Sequence, residues 1–277
     1  MISLITTTID ETLTDIRKLL RSLEIQNNRD FEVIFLNQTK NSLNYHECLF
    51  QLHELFIPRT SLSHARNIGL NSAKGSILGF PDDDCYYHVD TLDSVVKVFC
   101  NEKFSFLYAN QLDPVTTESL QNMQFEDQEV IDLTNPKCSN SITIFVKRSA
   151  IHSFQFDQQM GVGAKYGSSE ESDLLFRMIK SGERGVFASS VKVYHSFFDQ
   201  YESTPSHKAF HYSLGLAHLW YKHRSFLGYH RLIWVLYFKP IIGLFLAILL
   251  LDYHKTRVRF HKWRAILTYT VKMIVLR

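Results

Sequence analysis

The stretch Ser76-Ile77-Leu78-Gly79-Phe80-Pro81-Asp82-Asp83-Asp84-Cys85-Tyr86-Tyr87 joins a short apolar run to three consecutive carboxylates. The apolar part is brief and closed by a proline, so it reads as a buried parallel strand. Ligands of open α/β sheets bind at the carboxyl ends of such strands. Three adjacent negative charges repel one another unless a cation joins them, and hard divalent cations prefer carboxylate oxygens and also hold substrate phosphates. A solvated acidic turn is the plain alternative for these three residues taken alone.

Working outward, strand and helix alternate. Ile2 to Thr7 is a strand, and Asp10 or Thr12 caps a helix reaching to about Gln26, with Leu13, Ile16, Leu19, Leu20 and Leu23 on one face. Phe31 to Leu36 is a second strand. Leu43 to Leu55 and Leu62 to Ala73 read as helices, Val89 to Cys100 as another, and Phe104 to Ala109 as a strand. This order predicts an α/β fold with a doubly wound, mostly parallel sheet. Asp113 to Pro136 reads as a polar loop, Ser141 to Val146 as a strand, and Gly161 to Ser169 as a mobile loop. A helix follows from Glu171 to Ser181, then short strands at Val186–Phe187 and Val191–Tyr194. Ser203-Thr204-Pro205-Ser206 is the expected domain boundary, giving domains 1–202 and 203–277.

The chain has 277 residues, 45% of them hydrophobic, enough for a globular domain plus a smaller module. Cys48, Cys85, Cys100 and Cys138 form no CxxC pair, which argues for reduced thiols rather than a zinc site or disulfide framework. The amino terminus lacks a basic signal-peptide region and reads as the first strand of a domain that begins in the cytosol. The net charge of +2 conceals an asymmetry. Residues 203–277 hold 12 Lys/Arg and one acid, Asp252, whereas residues 1–202 hold 18 basic and 27 acidic residues. Two surfaces with different partners are expected.

Three further sites stand out. Arg66, in Leu62-Ser63-His64-Ala65-Arg66-Asn67, lies on a helix just before the acidic strand, where a guanidinium can hold a diphosphate in bidentate fashion or simply be solvated. Gly167-Ser168-Ser169-Glu170-Glu171-Ser172-Asp173 delivers acids to a helix amino terminus, which favours the carboxylate form that a general base needs, or serves as charge matching and capping. His195 ends a strand, where a neutral imidazole can complete a metal shell or be structural.

Together and in this order, these elements over residues 1 to 200 resemble the family 2, inverting glycosyltransferases of the GT-A fold, of the type that builds bacterial surface polysaccharides such as O-antigen or capsule. The resemblance implies a Rossmann-like domain that binds a nucleotide-sugar donor, a UDP-sugar, with Thr7, Asn37, Arg66, Asp82 and Asp83 around it. It implies Mn2+ or Mg2+ on Asp84, Asp82 and His195. Glu171 or Asp173 would be the general base and Glu170 would contact the acceptor. Two departures from the family pattern are Asn37, where the second strand often ends in Asp, and Glu171, where the base is usually Asp. The Gln-x-x-Arg-Trp motif of processive synthases is absent, which fits transfer of one sugar per encounter. Alternatives are a polyprenyl-phosphate sugar synthase, which needs no general base, and a sugar-nucleotide-binding module without turnover.

The last module is helical and basic. Leu232 to Leu251 is long enough to span a bilayer but is interrupted by Lys239 and Pro240. Phe260, Trp263, Leu267, Val271 and Ile274 then follow a helical period, with Arg257, His261, Arg264, Thr268 and Lys272 on another face. In-plane attachment to an anionic cytoplasmic membrane surface, a true span, and the core of a soluble homodimer are the three readings. The apolar run argues against nucleic acid as the partner. Membrane attachment suits the acceptor implied by the resemblance, a saccharide on a polyprenyl-diphosphate lipid.

Overall fold

The computed structural model describes residues 1–45, 48–119, 124–151, 155–196 and 206–275. They divide into two compact units, one of residues 1–156 and 174–196, the other of residues 157–173 and 197–277. Residues 203–205 of the expected boundary lie outside the described residues.

In the first unit the chain runs β1 (Ile2–Thr8), α1 (Thr14–Glu24), β2 (Phe31–Asn37), β3 (Gln51–Phe56), α2 (Leu62–Ser72), β4 (Ile77–Gly79), β5 (Tyr86–Tyr87) and α3 (Thr91–Phe99). It continues through β6 (Phe106–Leu112), β7 (Val130–Ile131), β8 (Ile144–Lys147) and α4 (Arg148–Ile151). Helix α5 (Glu170–Lys180) and strand β9 (Gly185–Tyr194) follow. All nine strands form one sheet in the order β3-β2-β1-β4-β8-β6-β9-β5, with β7 also on β9. Strands β3, β2, β1 and β4 are parallel, as are β6 and β9. Strands β5, β7 and β8 run antiparallel to their neighbours.

Strands β1 and β2 are buried on both faces, and their near-continuous apolar sequences are what a helix-covered parallel sheet requires. Helix α1 buries Ile16, Leu19, Leu20 and Leu23 as its 3.6-residue period predicts.

Two expectations are corrected. The helix expected over Leu43 to Leu55 is absent among its described residues, and residues 51–56 form an edge strand instead. They pair with the whole of β2, and Glu54 there accepts hydrogen bonds from Asn37 Nδ2 at 2.7 Å and from Leu43 N at 3.0 Å. Sheet pairing outweighs the modest helix preference of the Leu and Glu residues. The two short strands near residue 190 are one strand, β9, whose pairing with β6 slips between Ala109–Ala188 and Asn110–Lys192. The irregularity holds Ser189, Ser190 and Val191, and its two serines split the apolar pattern.

The second unit contains the loop of residues 157–169, the first turn of α5, and helices α6 (Ser206–Lys222), α7 (Arg224–Leu227), α8 (Tyr229–Ile233), α9 (Lys239–Leu249) and α10 (Tyr253–Val275). A π-helical segment, Trp234–Phe238, joins α8 to α9. Helix α10 packs along both α6 and α9. The loop expected to be mobile is tied to α6: Gly167 N donates to His211 O at 3.2 Å and Ser168 Oγ to Tyr212 O at 2.8 Å. Gly215 makes this approach fit, because a Cβ there would lie 2.5 Å from Ser168 O.

Candidate active site

Strand β4 sits between β1 and β8, and its carboxyl end opens into the Asp82–Asp84 turn. Phe80 is buried and packs edge-on against Phe156, with ring centroids 5.1 Å apart. Cys85 N donates to Asp82 O at 3.4 Å, closing the turn. The chain then enters β5, which pairs antiparallel with the end of β9 so that Tyr86 faces Tyr194 and Tyr87 faces Val193. Continuing that register sets Cys85 opposite His195, so that His195 stands diagonally across from the last aspartate of the turn. His195 Nε2 accordingly lies 3.3 Å from Asp84 Oδ1. The stacked rings of Tyr86 and Tyr194, 5.1 Å apart, clamp the pairing.

The three aspartates have different surroundings. Asp82 Oδ1 is 3.0 Å from Arg66 Nη2. Arg66 is 2% exposed and its guanidinium also lies 5.5 Å from the centroid of Phe156, so its charge is held inside the unit against Asp82. Burial pushes the Asp83 carboxyl up to about 6, against a hydrogen bond with the Thr8 side chain and with further upward pressure from Asp84 and Asp82. Asp84 is about half exposed. Its hydrogen bond raises the pKa of His195 above the ordinary value, and burial of the ring opposes that rise only partly.

Beside the turn, Asn37 is fully buried at the end of β2. Its Nδ2 donates to Asn41 O and to Glu54 Oε1, and its Oδ1 accepts from Thr39 N and Thr39 Oγ1. The side chain therefore builds the loop after β2. Thr7 Oγ1 donates to Leu36 O at 2.8 Å and accepts from Gln38 Nε2 at 2.9 Å. Thr8 does not stand out in the sequence. Its link to the acidic turn comes from the pairing of β1 with β4, which a run of three threonines does not reveal.

Among the described residues, no group of three or more His, Cys, Asp or Glu side chains is arranged to hold a metal ion. The donor set instead suits a cation shared with a ligand. Asp84 and His195 face each other, Asp83 carries a raised pKa beside crowded carboxylates, and a divalent ion bound to one or two protein groups takes its remaining oxygens from phosphates. Thus Asp84 and His195 fit such an ion, while Asp82 is directed to Arg66.

In the second unit, the acids at the start of α5 also separate. Asp173 is fully buried, with Oδ1 2.8 Å from both Lys222 Nζ and His223 Nε2. Lys222 also reaches Asp157 Oδ2 at 2.7 Å. One lysine thus fastens both ends of the 157–173 segment. Glu170 is 4% exposed, whereas Glu171 is partly exposed. Nothing in the spacing of Asp157, Lys222 and His223 marks them as partners of Asp173, and sequence reasoning misses them. An open cleft of about 630 Å³ lined by Ser76, Phe99 and Lys147 lies at the opposite ends of these strands and has no part in this site.

The fold has counterparts among solved structures. A mannosyltransferase from Pyrobaculum calidifontis, solved with GDP-Man and Mn2+, superposes with a TM-score of 0.69 over 97% of this chain and 86% of its own, at 14% identity. The 1–349 segment of S. aureus TarS in complex with UDP-GlcNAc superposes with a TM-score of 0.60 over 98% of this chain and 92% of its own, at 15% identity. A longer TarS structure gives a TM-score of 0.59 at 17% identity over 81% of this chain, which covers 44% of that protein. No curated protein matches by sequence. The pattern of Glycosyl transferase family 2 matches residues 3–160, from β1 through the acidic turn to the start of the 157–173 segment. With more than half of its length matched, and with the aspartate turn at the carboxyl end of a central strand, the chain belongs to glycosyltransferase family 2.

Proposed function

We propose that this glycosyltransferase moves one sugar from a nucleotide-sugar donor, a UDP-sugar, to a hydroxyl of a lipid-linked saccharide, with inversion at the anomeric carbon. The observation that carries the reading is the Asp82–Asp84 turn, with Asp84 facing His195 and Asp82 facing Arg66, inside a family 2 domain. Thr7, Asn37, Asp82 and Asp83 shape the donor end. Asn37 acts through the loop it holds, and Arg66 keeps Asp82 oriented. Mn2+ or Mg2+ held by Asp84 and His195 would neutralise the diphosphate as it leaves. The bond from the anomeric carbon to the diphosphate breaks, and its electron pair leaves with the nucleoside diphosphate. The acceptor oxygen forms the new bond from the opposite face, and its proton passes to Glu171. No acid is needed to protonate so good a leaving group, unlike in glycoside hydrolysis.

Partial exposure supports Glu171 over Asp173 as the base, because Asp173 is enclosed by Lys222 and His223. Glu170 is the acceptor contact. The domain assignment proposed is a catalytic domain over 1–202 and a helical module over 203–277 that attaches to the cytoplasmic face of the membrane, where a polyprenyl-diphosphate acceptor for surface-polysaccharide assembly resides.

Glu171→Gln tests the base. The variant should bind donor as the parent does and lose transfer by about a hundredfold or more. Transfer at the parental rate would remove Glu171 from the mechanism and favour a lipid-phosphate acceptor, which needs no base.

A further inference from the structure

We infer that the α9–α10 hairpin binds an anionic phospholipid surface in the plane of one leaflet and does not cross it. Among the described residues, Tyr229–Leu249 is the one helical run long and apolar enough to cross a membrane. It is not a core helix, since 17% of its apolar window is buried. Ile241, Ile242, Phe245, Leu246 and Leu249 are exposed at helical spacing and form one broad apolar face with Trp234 and Phe238.

What this face meets is decided by the helix packed behind it. The chain reverses at Leu250–Asp252, where Leu251 takes a left-handed conformation at φ 51° and Asp252 Oδ1 accepts from Lys255 N at 2.8 Å. Helix α10 then runs back along the apolar run. Arg259 donates to the carbonyl of Gly243, and the Tyr237 and Thr270 hydroxyls are 2.8 Å apart. Gly243 permits this approach, because a Cβ there would lie 2.9 Å from Arg259 Nη1.

This pairing excludes a span. At about 1.5 Å per residue, Arg259 lies level with Gly243, about 9 Å inside the Leu249 end of the apolar run. Lys255, Arg257, Arg259, Lys262 and Arg264 would all enter the hydrocarbon if Tyr229–Leu249 crossed it, and each such charge opposes insertion. Lying flat, the hairpin sinks its apolar face to the acyl boundary and leaves the cations at the headgroups. Residues 206–275 hold 11 Lys/Arg against one acid, Asp252, so the headgroups that complement them are anionic.

The inference deepens the membrane attachment proposed above, and its test uses neither donor nor acceptor, so its failure would leave the donor site standing. Flotation of the full chain with vesicles of phosphatidylcholine, with or without about a third phosphatidylglycerol, is the first arm. Binding should require the anionic lipid, weaken with salt, and fall about tenfold in Ile242→Asp/Leu246→Asp. Depth is the second arm: Ile241→Trp and Leu249→Trp, each with Trp220, Trp234 and Trp263 replaced by Phe, are quenched by labels near the headgroup or near the chain end. In-plane binding predicts stronger shallow quenching at both positions. Deep quenching at residue 241 with shallow quenching at 249 would establish a span and overturn the inference. A lipid-free dimer that ignores vesicles and is dissociated by Ile242→Asp/Leu246→Asp would overturn it in favour of a second copy. If the variants fold poorly, hydrogen exchange on the unaltered chain distinguishes the same outcomes. Protection of residues 238–251 gained on anionic vesicles alone supports in-plane binding, and protection already complete without lipid overturns it.

Discussion

His195 Nε2 lies 3.3 Å from Asp84 Oδ1 because β5 pairs antiparallel with the end of β9, joining the exit of the acidic turn to the residue that follows the last strand. In the proposed function a divalent ion between the two side chains would compete with the proton that they share.

That competition has a pH signature. The folded pKa of Asp83, about 6, lies above its ordinary value of 3.8, so the folded state holds the proton more tightly. Its contribution to stability is therefore best at low pH and falls as pH rises from about 4 to 6, by about 1–3 kcal/mol. His195 is also raised, so its pairing stabilises below its ordinary value of 6.5 and is lost as pH rises through the folded value. Metal-free protein should lose melting temperature as pH rises from about 4 to 6 and again above 6.5, by about 2–4 °C for each kcal/mol in a chain of this size. Asp83→Asn should flatten the acid part of that slope. Thermal melts across pH with chelator present are the check, and an unchanged slope in Asp83→Asn would count against the burial of this carboxyl.

Arg66→Met should destabilise by about 1 kcal/mol, because the Asp82 carboxylate left behind is 40% exposed and solvent screens it. The guanidinium is buried against Asp82 and Phe156, so the substitution removes a cation from the Asp82 carboxylate. Urea unfolding reads the loss directly, and a change within error would place Arg66 in solvent.

Lys222→Met should cost about 2–4 kcal/mol, since it strips a cation from the fully buried Asp173 while Asp157 loses the same partner. Because one lysine fastens both ends of the 157–173 segment, proteolysis within residues 158–169 should rise in the variant. Limited digestion with mapping of the cut sites is the measurement, and cleavage no faster than in the parent would show that the loop's ties to His211 and Tyr212 suffice.

The apolar runs of β1, β2 and β4 and the helical period of α1 are enough, as sequence, to place the acidic turn at the carboxyl end of a strand. What escapes such a reading depends on distant partners. Residues 51–56 are a strand because β2 offers them an edge, and β9 reads as two pieces because Ser189 and Ser190 sit where its pairing with β6 slips. The acids of the motif have the same charge in the sequence, yet Asp82 meets Arg66, Asp84 meets His195, and Asp173 is enclosed by Lys222 and His223. Only tertiary pairing separates them. Arg66 and Asn37 show the same limit: both carry groups suited to a ligand, and both turn those groups to the protein.

If the Asp82–Asp84 turn and His195 form a cation-assisted nucleotide-sugar site, the protein must recognise its donor only with the cation present. The most direct measurement is the thermal stabilisation of the full chain by a panel of UDP- and GDP-sugars, with Mn2+ or with chelator, repeated on Asp84→Asn. One donor class should raise the melting temperature, the rise should need the cation, and it should vanish in Asp84→Asn. No rise with any donor, or an equal rise in Asp84→Asn, would contradict the assignment.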